Sequence, residues 1–275
     1  MKIARIDLDG SERLARIDGD QAHPLAVDVS SPFAVLLADA TTLPHTGHEP
    51  VALDRVGLLA PIARPGSVIA VGLNYADHAR ESGMDEPATP ITFPKLPQSV
   101  IGPDAVIRWS PSQSTQVDYE AELAVIIAAD VRDVAVGDAL GHVLGYTCCN
   151  DVSARDAQFS DGQWLRSKSF DTFCPLGPWL VTPDDLPDPQ SLAVACRVNG
   201  TTLQESTTAE MIHGVADIIS YLSRFFTLRA GDVITTGTPA GVGFARTPPI
   251  FLGDGDVVEI EIDGIGVLRN ACVVG

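Results

Sequence analysis

The sequence predicts an α+β fold made mainly of β-strands. Three observations carry that expectation. Short apolar or β-branched runs recur along the chain, punctuated by Asn-Gly and Asp-Gly pairs of the kind that close tight hairpins. Helical periodicity is clear in one stretch alone. Strand and helix patterns do not alternate regularly, as they would in a doubly wound sheet.

At the start, Lys2-Ile3-Ala4-Arg5-Ile6 alternates, and Asp9-Gly10 and Asp18-Gly19 break the stretch into short hairpin strands. A helix is expected over residues 32–40, followed by a polar connection containing proline. Pro61 and Pro65 bracket the approach to an apolar strand at Ser67-Val68-Ile69-Ala70-Val71. This places a boundary near residue 63, between a small N-terminal unit (1–63) and a main domain (64–275). Further strands are expected over 123–128, 142–148, 179–181, 192–198, 232–235 and 257–262. Asn199-Gly200 joins two runs as a two-residue hairpin, and Asp263-Gly264 repeats the device. Met211, Ile212, Val215, Ile218, Ile219, Leu222 and Phe226 recur at three- and four-residue spacing, which predicts one long helix. Thr207 and Glu210 have the spacing of a capping box at its start.

Composition excludes several classes of function. The chain has 275 residues, 45% of them hydrophobic, and a formal charge of −18. No basic run is present to meet a phosphate backbone, so no nucleic-acid partner is expected. No apolar run approaches the roughly 18 residues of a membrane span, and the N-terminus lacks the apolar centre of a signal peptide. A cytoplasmic protein is the expectation. Five cysteines stand without C-x-x-C spacing, which fits packed, reduced thiols. A nucleophilic role for the vicinal pair Cys148-Cys149 would need a base that the local sequence does not supply. Of 18 Lys plus Arg, only Lys2, Lys95 and Lys168 are lysine. Where arginine serves for general charge, a surviving lysine points to a site that needs a compact ammonium.

The strongest local signal is Asp118-Tyr119-Glu120-Ala121-Glu122-Leu123. On a strand, Glu120 and Glu122 share the face continued by Ala124, Ile126 and Ala128. Carboxylates leading into an apolar face are costly without counter-charge, and a hard divalent cation would supply it. The alternative is a strand whose first half projects into solvent. Asp151 follows the apolar run ending Cys148-Cys149 and could either join that cage or cap the turn that begins at Val152. Asp156 could pair with Arg155. On a short helix His78 and Glu81 share a face, and a carboxylate beside an imidazole suits a general base acting on water. The alternative is a surface His–Glu pair. Gly83-Met84 and the proline-rich stretch 87–94 read as a flap. The glycine-rich segment 231–243 follows a strand without a P-loop or dinucleotide pattern, and reads as a tight, backbone-lined loop.

Together and in this order, the segments from Gly72 to Gly243 resemble the fumarylacetoacetate hydrolase family, in its short, acylpyruvase-like branch. The resemblance implies a mixed, β-roll-like fold, a homodimer, and Mg²⁺ or Mn²⁺ held by Glu120, Glu122 and Asp151. It implies that His78 and Glu81 activate water and that Lys168, Arg155, Gln158 and Thr238, with Lys95 less directly, hold a small anionic 2-oxo or dicarbonyl acid. The animal fumarylacetoacetase carries a larger N-terminal domain, a fourth metal carboxylate and a further histidine segment that have no counterpart here, which points away from fumarylacetoacetate itself. Three carboxylates with one divalent ion leave a local charge of about −1, and Lys168 with Arg155 bring it to about +1, as an anionic substrate requires. Hydrolysis of an acylpyruvate-like C–C bond is the favoured activity. Oxaloacetate decarboxylation and isomerisation of unsaturated oxo-diacids use the same chemistry, and a metal-stabilised binding protein is the non-enzymatic rival.

Overall fold

The computed structural model describes residues 1–27, 48–62 and 64–275. The N-terminal segment contributes β1 (Lys2–Leu8), β2 (Ser11–Asp18), β3 (Gln21–Pro24), β4 (Val51–Ala52) and β5 (Gly57–Leu59). The next stretch supplies β6 (Val68–Gly72), α1 (Ala76–Ser82), β7 (Ile91–Lys95), β8 (Val100–Ile101), β9 (Ile107–Trp109), β10 (Val117–Asp118) and β11 (Ala121–Ile127). It is followed by α2 (Val136–Ala139), β12 (Val143–Asn150), β13 (Ser153–Ala154), α3 (Arg155–Asp161), α4 (Leu165–Lys168) and β14 (Cys174–Val181). The last part holds β15 (Ala193–Val198), β16 (Thr201–Thr207), α5 (Val215–Ser223), β17 (Val233–Thr235), β18 (Val257–Ile262) and β19 (Gly266–Val274).

The strands form a 12-stranded mixed sheet in the order β4-β3-β2-β1-β14-β12-β11-β17-β6-β7, with β5 on β1 and β8 on β14. A 5-stranded sheet runs β16-β15-β18-β19-β9, and β10 pairs with β13. The architecture is therefore α+β and mainly β, as expected. The N-terminal strands extend the large sheet, because Lys2 and Ile3 pair with Val181 and Leu180. The expected helix at 32–40 lies outside the described residues. No helix among the described residues is long and apolar enough to cross a membrane.

β11 is buried along its whole length. Its odd residues Leu123, Val125 and Ile127 pack in the main core, which includes Ile218, Ile219 and Leu222 of α5. Its even residues Ala124 and Ile126 pack on the other face, with Val68, Leu176 and Leu180. A strand covered on both faces reads as a continuous apolar run. Each buried Leu, Ile or Val contributes about 1.5–3 kcal/mol, so this packing can tolerate costly charges at the strand's start.

The long helix is shorter than its periodicity suggests. Gly214 caps α5, and its N–H donates to the Asp217 carboxylate at 3.3 Å. Met211 is extended and bridges to Tyr75, and Ile212 lies in a bend with its N–H donating to the Asn74 carbonyl at 2.8 Å, so neither is helical. Thr207 accepts from the Ala209 N–H and caps only a short 3₁₀ turn, Thr208–Glu210. Met211 still packs on the core from this extended segment, which is why the apolar spacing continues across the break.

Candidate active site and metal centre

Glu120 immediately precedes β11 and Glu122 lies on it, two residues along and on the same face. β12 pairs beside them, with Ala121 opposite Asn150, and delivers Asp151 just past its end. The Asp151 N–H donates to the Glu120 carbonyl at 3.0 Å, and the Asn150 side chain accepts from the Glu120 N–H at the same distance. One oxygen from each of Glu120, Glu122 and Asp151 lies within 4.8 Å of the others, and all three residues are buried. Asp151 caps no helix, since α3 begins after Ala154.

Three cations surround this cluster. The Lys168 ammonium on α4 donates to Glu120 Oε2 at 2.7 Å and to Asp151 Oδ2 at 2.8 Å. Lys95 on β7 is wholly buried behind Asp151 and bonds both its carboxylate and the Lys168 carbonyl. Arg155 Nη2 lies 2.6 Å from Glu120 Oε1 and 2.8 Å from Asp118 Oδ2. Asp118 was not among the expected site residues, yet it is fully buried and also accepts from the Gly243 and Phe244 N–H groups at 2.8 and 3.1 Å. Asp156 does not pair with Arg155. It accepts from the Ser114 hydroxyl at 2.7 Å and the Thr115 N–H at 3.0 Å, because Arg155 turns inward to the deeper carboxylates.

The two glutamates are driven apart electrostatically. Burial pushes the Glu120 carboxyl up, but Lys168 and Arg155 outweigh it and hold the group at about 2. For Glu122, burial and then the Asp151 and Glu120 charges raise the carboxyl well above the usual carboxylate range. Its hydrogen-bond donor is the Gly237 N–H at 2.9 Å, and no ammonium or guanidinium among the described residues pairs with it. A buried carboxylate without a cation, beside two others within coordination reach, is the donor set a hard divalent ion satisfies. The residues present fit such an ion.

The second group faces the same cavity. His78 and Glu81 lie three apart on α1, with Nδ1 3.3 Å from Glu81 Oε2. Burial raises the Glu81 carboxyl, but the His78 ring and the Gly241 N–H, at 3.0 and 3.1 Å, outweigh it and hold the group low. The loop after β17 thus fixes Glu122 through Gly237 and Glu81 through Gly241. Gly237 has φ of +94°, and a Cβ there would lie 2.8 Å from Asn74 Cβ. These backbone donors were invisible beforehand beyond the glycine content of the loop, since an N–H carries no side-chain signature.

The cavity has a volume of about 560 Å³ and is lined by His78, Glu81, Ser82, Glu120, Glu122, Arg155, Gln158, Lys168 and Thr238, with an apolar remainder. Lys95 and Asp151 lie behind this wall. Gln158 accepts from Arg155 Nη1 at 2.9 Å, and the Thr238 hydroxyl accepts from Gln204 Nε2 at 2.8 Å. The stretch expected to be a flap is a sheet strand over its second half, since β7 (Ile91–Lys95) pairs with β6, and Met84, Ile91 and Phe93 line the wall. Phe93 stacks edge-on against Trp164, and a Cβ on Gly72 would lie 2.6 Å from that indole. The aromatic wall went unread in the sequence because its members come from four separate segments. Cys148 and Cys149 are buried away from the cavity, and burial pushes both thiols up, which suits packing and not nucleophilic attack.

Comparison with known proteins shows the family and the fold. The family described as fumarylacetoacetate (FAA) hydrolase C-terminal matches residues 67–273, and the one described as Rv2993c-like, N-terminal matches residues 1–61. The mitochondrial oxaloacetate tautomerase Fahd2a of Rattus norvegicus is 48% identical over 221 residues, covering 80% of this chain and 70% of the relative. The solved fumarylacetoacetate hydrolase of the psychrophile Exiguobacterium antarcticum superposes with a TM-score of 0.88 at 40% identity, covering 100% of both chains. The solved 2-hydroxyhepta-2,4-diene-1,7-dioate isomerase of Mycobacterium marinum gives 0.84 at 40% identity, covering 100% of this chain and 98% of that one.

Proposed function

The chain belongs to the fumarylacetoacetate hydrolase family, and from that premise we propose that it is a metal-dependent hydrolase cleaving a C–C bond in an acylpyruvate-like 2-oxo acid. The observation that carries the reading is the opening of the His78–Glu81 pair onto the same cavity as Glu120 and Glu122. A divalent ion, Mg²⁺ or Mn²⁺, held by Glu120, Glu122 and Asp151 would polarise the keto and carboxylate oxygens of the substrate. Arg155, Gln158 and Thr238 bind and orient the oxo-carboxylate end. His78 takes a proton from water while Glu81, fixed by Gly241, holds the ring in the required tautomer. Hydroxide adds to the distal carbonyl, and Lys168 offers its ammonium to the developing oxyanion. The C–C bond then breaks, its electron pair passes to the pyruvate enolate, and a proton returns to carbon. The products are pyruvate and a carboxylic acid.

A second reading has a specific observation in its favour, the 48% identity to a protein named oxaloacetate tautomerase. In that reading the same His78 moves a proton at carbon, and no bond between carbons breaks. The two readings separate on the product of the wild-type enzyme, which is pyruvate and an acid in the first and an unbroken carbon skeleton in the second. A variant then tests the role of His78 in activating water. His78→Ala should lower acylpyruvate hydrolysis by about 10²-fold or more, while decarboxylation of oxaloacetate, which needs no activated water, should suffer less. Equal losses on both would count against water activation.

A further inference from the structure

We infer that the outer half of the cavity selects an apolar tail, so that the preferred substrate is a singly charged 2-oxo acid capped by an aryl or alkyl group and not a diacid. This rests on the reading that the inner half takes the 2-oxo acid end. Charge is the first ground. The buried cluster sets Asp118, Glu120, Glu122 and Asp151 against Lys95, Arg155 and Lys168. With a divalent ion counted, the cluster carries about +1, which one substrate carboxylate neutralises.

No cation remains for a second carboxylate among the described lining residues. Among the described residues lining the cavity, the basic ones are His78, Arg155 and Lys168. The last two sit beside Glu120 and are taken up by the substrate's 2-oxo acid end, and the His78 Nδ1 faces Glu81. Residues 28–47 and 63 contain no Lys or Arg. A distal carboxylate would lose hydration without gaining a partner, and Glu81 would repel it.

The wall is also built for apolar contact. Its exposed part is formed by Met84, Ile91 and Phe159, with Leu73 also in the wall, and Phe93 and Phe244 continue the apolar surface inward to Lys168 and Arg155. Phe159 stacks edge-on against Phe244 at 5.6 Å. Phe159, Met84 and Ile91 are 66%, 56% and 40% exposed around one mouth, a clustering of large apolar side chains that marks a binding surface. Leu73 is held at φ of +49°, a region unfavourable to a side chain of its size. Its neighbour Asn74 fixes it there, donating to the Thr236 and His213 carbonyls at 2.8 and 3.0 Å and accepting from the His213 N–H at 2.9 Å. Backbone strain retained at a cavity wall accords with a positioned contact.

The test is kcat/KM of the Mn²⁺-loaded enzyme for acylpyruvates with lengthening alkyl or phenyl caps, against a matched chain ending in a carboxylate. The phenyl or longest alkyl substrate should exceed the diacid by at least about ten-fold, on the scale of pocket discrimination by apolar groups. Phe159→Lys, at an exposed position, should narrow that ratio about ten-fold by supplying the missing cation. A wild-type enzyme that prefers the diacid, or a Phe159→Lys ratio unchanged from wild type, overturns the tail assignment alone. Failure of every acylpyruvate and diacid to be turned over or to bind in calorimetry overturns the 2-oxo acid reading and the tail assignment together.

Discussion

Glu120 and Glu122 are separated by a single alanine on one strand face, yet they meet opposite fields. Glu120 touches both Lys168 and Arg155, whereas among the described residues Glu122 receives the Gly237 N–H and no cation. The direction for Glu122 has a thermodynamic consequence. Its folded value lies above its unfolded one, so the folded state holds the proton longer and stability falls as pH rises from the ordinary carboxylate range toward the raised value. In metal-free protein the melting temperature should therefore fall with rising pH across that window, and Glu122→Gln should flatten the profile. Added Mn²⁺ should release a proton on binding, seen as a buffer-dependent heat in calorimetry. An identical pH profile for wild type and Glu122→Gln would contradict the assignment. Lys168 can be tested in the same way. Its ammonium occupies a buried slot between two carboxylates, and arginine's planar fork cannot reproduce that point charge. Lys168→Arg should cut kcat by about 10²-fold, on the scale of one lost oxyanion donor; a near-normal kcat would reduce Lys168 to a charge balancer.

At the scale of elements, the site is a meeting of one strand start (β11), one strand end (β12), one short helix (α1) and the loop after β17. That loop is the least forgiving part, because Gly237 combines a positive φ with a close approach to Asn74 and a hydrogen bond to the Glu122 carboxylate. Gly237→Ala should destabilise the protein by about 1–3 kcal/mol and weaken metal binding, measured by denaturant titration and metal-binding calorimetry. Unchanged stability and affinity would mean the loop relaxes without cost. The sequence carried much of this unevenly. The period-two placement of Glu120 and Glu122 was legible because both faces of β11 are covered, and the hairpin at Asn199-Gly200 was legible because both residues adopt positive φ. The break at Gly214 was not, since non-helical residues with apolar side chains prolong a helical spacing by coincidence. Asp118 was visible as a residue but not as a site member, because only the fold brings it to Arg155 from a strand end 37 positions away. Lys95 and Lys168 drew notice through their scarcity, and both prove to contact Asp151.

The whole molecule carries a formal charge of −18, which repels an anionic substrate at long range. The site counters this locally with three cations that are all buried, and the large sheet supplies the apolar packing that holds them there. The same frame, in relatives with TM-scores of 0.88 and 0.84, carries the names of a hydrolase and an isomerase, so the frame does not choose the reaction. What distinguishes hydrolysis is the fate of water. Turnover of an acylpyruvate by the Mn²⁺-loaded enzyme in ¹⁸O-labelled water, read by mass spectrometry of the released carboxylic acid, tests that directly. The account predicts one labelled oxygen in that acid, formed together with an equivalent of pyruvate. Substrate recovered with its carbon skeleton intact and no pyruvate formed would contradict it.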